Sequence, residues 1–134
     1  MPRLEFTHFH SYANRYDAVT VPVLLKSGSE TAEVVASIDT GSTHCVFERL
    51  HAQSLGLDVE AGEPMDLWSA AGPVKSFGHA VQITVFELVF ESMVYFFADP
   101  AIQKNLLGRR GWLDRIRLGI VDHDRELYLA AYDS

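Results

Sequence analysis

The chain has 134 residues, of which 48% are hydrophobic, and carries 18 acidic against 11 basic side chains for a formal net charge of -7. That length suits one domain burying roughly two thirds of its unfolded surface, and the apolar share excludes a disordered chain. The acidic balance argues against nucleic acid as a partner, and the single cysteine excludes a disulfide framework and a cysteine-built zinc site.

The opening stretch, MPRLEFTHFHSY, holds two histidines and a glutamate and does not read as a signal peptide. DAVTVPVLL (17–25) is rich in β-formers and runs into the turn cluster KSGSE, and TAEVVASID (31–39) follows as the second arm of a hairpin. HCVFERLHAQSLGL then passes from a short strand into a helix, with Leu50, Ser54 and Leu57 at helical spacing and Gly56 at its end. Residues 63–86 form two extended arms around the tip SAAGP. A second long hairpin is expected over 81–98, turning near Glu87 to Phe90; Gln82, Glu87 and Glu91 interrupt it too often for a membrane span. NLLGRRGWLDRIRLGI reads as a strand, Gly108, and a helix from about Gly111 to Leu118. RELYLAAY closes as a strand with Leu127 and Leu129 on one face. The expected class is all-β with one short helix per half, in a cytoplasmic setting with no membrane contact.

The two halves resemble each other. Val46 and Phe47 stand seven and eight residues after Asp39, and Leu106 and Leu107 stand seven and eight after Asp99. A hairpin precedes each acid, so the pattern reads as one unit duplicated.

An acid ending an apolar strand is costly unless it is paired or needed. Asp39 does so, within SIDTGSTHCVF. VVASIDTGSTHCVF, the glycine-bearing WSAAGPVKSFG and NLLGRRGWLDRI together resemble the retroviral-type (retropepsin-like) aspartic proteases over about residues 17–130. The pattern of that family is an apolar pair before Asp-Thr-Gly-Ala/Ser, a flap hairpin, and then apolar-apolar-Gly-Arg with a helix. The chemistry agrees with the residues. Hydrolysing an amide without a metal needs a base for the water and an acid for the departing nitrogen. Two close carboxylates sharing one proton supply both.

The resemblance implies a single domain over 1–134 with a closed, barrel-like fold. Residues 1–16 would be an N-terminal interface strand, 64–84 a flap, and 105–134 a strand, a helix and a C-terminal interface strand. The chain has one Asp-Thr-Gly; Asp99, in ADPA, lacks the hydroxyl and the glycine. The second acid would therefore be Asp39 of another copy, in an active site on the two-fold axis of a homodimer acting on peptide or protein substrates. Thr40 would bond across that axis, and Gly41 would present its N–H to a carboxylate. Ser42 would donate to Asp39, favouring its ionised form and an acid-leaning pH optimum. Ala70, Ala71 and Gly72 would form the flap tip. Trp68 would wall the substrate pocket, with a place in the core as its alternative. Leu107, Gly108 and Arg109 would brace the loop or the dimer. Arg110 departs from the Asp or Asn usual at its position in relatives. No cofactor or metal is implied.

Other residues invite different chemistry. The six histidines show no ligand spacing. His44 and Cys45 are adjacent on an extended segment and face opposite ways, so they make no thiol dyad. DHDRE is too short for a calcium loop, and the five arginines from Arg109 to Arg125 read as a solvated face. Two further readings stand beside the endopeptidase: a catalytically weak or inactive dimeric peptide-binding or assembly module of the same fold, and an unrelated monomeric β-barrel.

Overall fold

A computed structural model describes residues 1–13 and 17–134, so residues 14–16 of the expected N-terminal strand lie outside the described residues. The described residues form ten strands: β1 (His8–Ser11), β2 (Thr20–Ser27), β3 (Glu30–Ile38), β4 (Val46–Phe47), β5 (Glu63–Ser69), β6 (Gly72–Val85), β7 (Leu88–Phe97), β8 (Leu106–Leu107), β9 (Ile116–Val121) and β10 (Glu126–Ala131). One α-helix, α1 (Arg49–Ser54), and three single 3-10 turns complete the described elements. No helix among the described residues is long and apolar enough to cross a membrane.

The larger sheet runs β2-β3-β8-β4-β7-β6, and β6 returns to β2 through Leu24↔Thr84, Leu25↔Ile83 and Lys26↔Gln82. The ladder closes on itself as a barrel, with each of those six strands paired on both sides over at least part of its length. Alternation sends Val21, Val23 and Leu25 of β2 and Val81, Ile83 and Val85 of β6 inward, where they meet Phe47, Phe96, Leu107 and the fully buried Trp112. β5 pairs with the first half of β6 alone, from Glu63↔Gly78 to Ser69↔Gly72, and stands out from the barrel as a hairpin.

The duplication expected from the sequence is present in the strand pairing. β8 lies parallel to β3 (Ser37↔Leu106), β4 lies parallel to β7 (Val46↔Tyr95), and the two short strands pair with each other at Val46↔Leu106. Each half thus inserts its short strand beside the long strand of the other half.

Three expectations are corrected. The helix placed at 111–118 is a 3-10 turn, Leu113–Arg115, followed by β9. Ile116, Leu118 and Ile120 recur at a period of two, and pairing with β10 from Ile116↔Ala131 to Val121↔Glu126 satisfies their backbone. The β6–β7 hairpin turns at Phe86–Glu87, not at Glu87–Phe90. A turn centred two residues later would set Val85 opposite Ser92 in place of Leu88 and slide the whole ladder by four residues. In α1 the buried residue is Ala52, followed by Leu55 beyond the helix, and Leu50 is exposed.

A three-stranded sheet, β1-β10-β9, covers one side of the barrel, with Leu127 and Leu129 buried beneath it. β10 is its central strand, flanked by β1 (His8↔Leu129) and β9. Both chain ends were expected to offer interface strands. β10 is paired on both sides, so within this sheet β1 and β9 are the strands that keep a free edge.

Candidate active site

Asp39 follows β3 at the end of the barrel and is half-buried. Its N–H donates to the Leu107 carbonyl (3.0 Å) and its carbonyl accepts the Ser42 N–H (3.1 Å), closing a tight turn. Within that turn the Gly41 N–H donates to Asp39 Oδ1 at 2.9 Å. Thr40 is exposed at the tip. The Ser42 hydroxyl donates to the His44 carbonyl at 2.7 Å rather than to Asp39, so the acid-leaning optimum inferred from that bond loses its basis.

The segment Leu107–Arg110 grips this loop from behind. The Arg109 and Arg110 N–H groups donate to the Ser42 and Thr43 carbonyls, each at 2.8 Å. Gly108 lies so close that a methyl on it would stand 2.1 Å from the His44 carbonyl oxygen and 2.7 Å from that of Ser42. The three bracing residues named from the sequence therefore act through their backbone, and the Arg109 side chain is exposed.

Asp99 repeats the local turn of Asp39: the Ala101 N–H donates to its Oδ1 at 2.9 Å, and the Ile102 N–H to its carbonyl at 3.3 Å. It does not repeat the position. Leu106 pairs two residues before Asp39, whereas Val46 pairs four residues before Asp99. The residue at the register of Asp39 in the second half is Phe97.

Beside the Asp39 loop lies a cavity of about 590 Å³, walled by Gly41–His44, the β5–β6 hairpin and the loop that leads into β8. Trp68 is 83% exposed and lines it, which excludes a place in the core. Ala70 and Ala71 form the hairpin tip between Ser69 and Gly72, and Gly72 has φ +110°, a conformation that favours glycine. The Ser69 hydroxyl donates to the Gly72 carbonyl at 2.8 Å and closes the turn.

His44, set aside above as half of a thiol dyad, lines the cavity, its ring 4.9 Å from that of Tyr95, and burial together with Arg110 lowers its pKa. Other residues near this site drew no attention in the sequence. Two clamps hold the 98–105 loop. Arg49 donates to both carboxylate oxygens of Glu60 (2.6 and 2.7 Å) and to the Ala98 carbonyl (3.1 Å). Asn105 donates to Glu48 Oε2 (2.6 Å) and accepts the Glu48 N–H (3.0 Å). The Glu48–Asn105 pair joins residues 57 apart and Arg49–Ala98 residues 49 apart, and no local pattern marks them. Asn105→Ala leaves both Glu48 groups short of a partner and is expected to lower stability by roughly 1–3 kcal/mol in a thermal melt. Combined with Glu48→Ala, it should cost clearly less than the sum of the two single losses.

Cys45 faces the core with no exposed surface, and burial raises its pKa to about 11. A disulfide reagent is expected to label it only at the rate of global unfolding; rapid labelling of the native protein would contradict this packing.

Residues 21–110 match the family described as aspartyl protease. Among solved structures the chain is similar to the EIAV protease complexed with the inhibitor HBY-793, with a TM-score of 0.56 and 20% sequence identity, covering 73% of this chain and 88% of that one. No curated protein sequence is matched. With the family match spanning most of the barrel, the chain belongs to the aspartyl protease family, and its fold is retropepsin-like.

Proposed function

We propose that the protein is an aspartic endopeptidase active as a homodimer, with one Asp39 from each chain in a shared site. The observation that carries this is the placement of Asp39. Its carboxylate is held by the Gly41 N–H on a loop braced by Leu107–Arg110, beside a cleft under a projecting hairpin. The sequence has one Asp-Thr-Gly, and Asp99 lies two residues off the register of Asp39, which supports a partner carboxylate from a second chain. Thr40 is exposed at the loop tip, which supports its role in bonding to its twin across the axis.

The two carboxyl groups share one proton and titrate as a unit. The ionised one takes a proton from water as the water oxygen bonds to the peptide carbon. The protonated one polarises the carbonyl, and the C–N bond breaks as a proton passes to nitrogen. The hairpin of Trp68, Ala70, Ala71 and Gly72 acts as a flap over an extended peptide and excludes water. The test is cleavage of a mixed peptide library from acid to neutral pH, with oligomeric state measured alongside. Cuts beside apolar residues by a dimer support the proposal. A dimer that binds peptides without cutting them would instead be a binding or assembly module.

A further inference from the structure

Two full charges line the cavity under the hairpin: Asp66 on β5 and Lys104 on the 98–105 loop. Their surroundings differ. Asp66 stands directly across the ladder from Lys75, so a cross-strand neighbour offsets its charge. Lys104 is exposed and joins no ion pair among the described residues. Its position along the chain is nevertheless well held. Asn105 beside it is bonded to Glu48 by its side chain and to the Ser37 N–H by its carbonyl, and Arg49 holds the far end of the loop at Ala98.

Around Lys104 the cavity is apolar, with Val46, Phe97, Ile102 and Leu106 from the barrel and Leu67 and Val74 from the hairpin. Its volume of about 590 Å³ lies within the range that takes a ligand with bulky apolar groups. A carboxylate is the natural partner of an unpaired ammonium group at the edge of such a cavity. In a chain with an excess of acids, a cation left unpaired at the cleft is placed to receive an acid from outside the chain.

On the reading of this cleft as a peptide site, we propose that Lys104 is a specificity residue: the site selects peptides in which a bulky apolar side chain, seated in the cavity, is flanked by Asp or Glu. Lys104 is remote in function from the Asp39 chemistry, so selection and cleavage can be measured apart.

Three peptides identical except for Glu, Gln or Lys beside one Phe are titrated into Asp39→Asn protein at low salt and neutral pH, with tryptophan fluorescence as the signal, since Trp68 lines the cavity. The Glu peptide is expected to bind roughly three- to tenfold more tightly than the Lys peptide, with Gln between them. Adding Lys104→Met should level the three, and adding Lys104→Glu should invert their order. An order unchanged by Lys104→Glu, or no binding of any of the three, overturns the assignment. Cleavage of the same peptides by the wild type tests the enzyme separately. The expected binding order without cleavage keeps Lys104 and removes the protease; cleavage with no charge preference does the reverse.

Discussion

Asp39→Asn is expected to lower peptide cleavage by at least about a thousandfold while leaving the fold and the dimer in place. Asparagine keeps the shape of the side chain, and its Oδ1 can still accept the Gly41 N–H that aspartate accepts at 2.9 Å. What it loses is the proton. Neither copy can then take one from water or return one to nitrogen, and a positioned acid or base contributes on the order of 10²–10⁴ in rate. Circular dichroism and gel filtration should match the wild type. The dimeric site adds a sharper consequence. After subunit exchange with an equal amount of Asp39→Asn chain, wild-type activity should fall to about half, because random pairing gives half of the wild-type chains an inactive partner. An undiminished rate would mean that each chain works alone, and retained cleavage by the variant would remove Asp39 from the chemistry.

The second large effect is structural. Gly108→Ala puts a methyl 2.1 Å from the His44 carbonyl oxygen, 2.6 Å from its carbonyl carbon and 2.7 Å from the Ser42 carbonyl oxygen. All three are backbone atoms of the loop that carries Asp39, and that loop is also tied to Arg109 and Arg110 by two 2.8 Å hydrogen bonds. No side chain can rotate away to make room, so the loop must separate from β8 or the chain must fail to fold. The expected loss is about 3 kcal/mol or more, read as a fall in urea midpoint of roughly 1–2 M. Gly28→Ala is the contrast: it has a positive φ but open space around it, and should cost only about 1 kcal/mol. Equal losses at the two positions would show that Gly108 is not packed against the loop.

Much of the site could be read from the sequence because its parts are local. Asp39, Thr40, Gly41 and Ser42 are consecutive, and the tight turn they form depends on their own backbone and one side chain. The hairpin tip was legible from Ala70, Ala71 and Gly72 for the same reason. The second-half helix was misread because GWLDRIRLGI accommodates both a period of two and one near 3.6. The choice falls to β10, which supplies hydrogen bonds to β9 along its whole length. The Ser42 bond was misplaced because a hydroxyl has several acceptors within reach, and only the path of the chain brings the His44 carbonyl to 2.7 Å.

The sequence by itself determined the acid, its turn, the alternating strands and the spacing of Val46–Phe47 and Leu106–Leu107 after their two aspartates, since each depends on residues a few positions apart. Only the tertiary structure decided that those two short pairs cross into opposite halves and that Leu107–Arg110 grips the Asp39 loop. It decided too that Phe97, and not Asp99, occupies the register of Asp39. It also brought Lys104, from 65 residues further along the chain, to the same cleft as the Asp39 loop. The physical reason is common to all of these. Closing long loops between strands costs an entropy that grows only slowly with length. Which strands meet is therefore settled by the burial and hydrogen bonding of the whole barrel, not by any pattern within one segment.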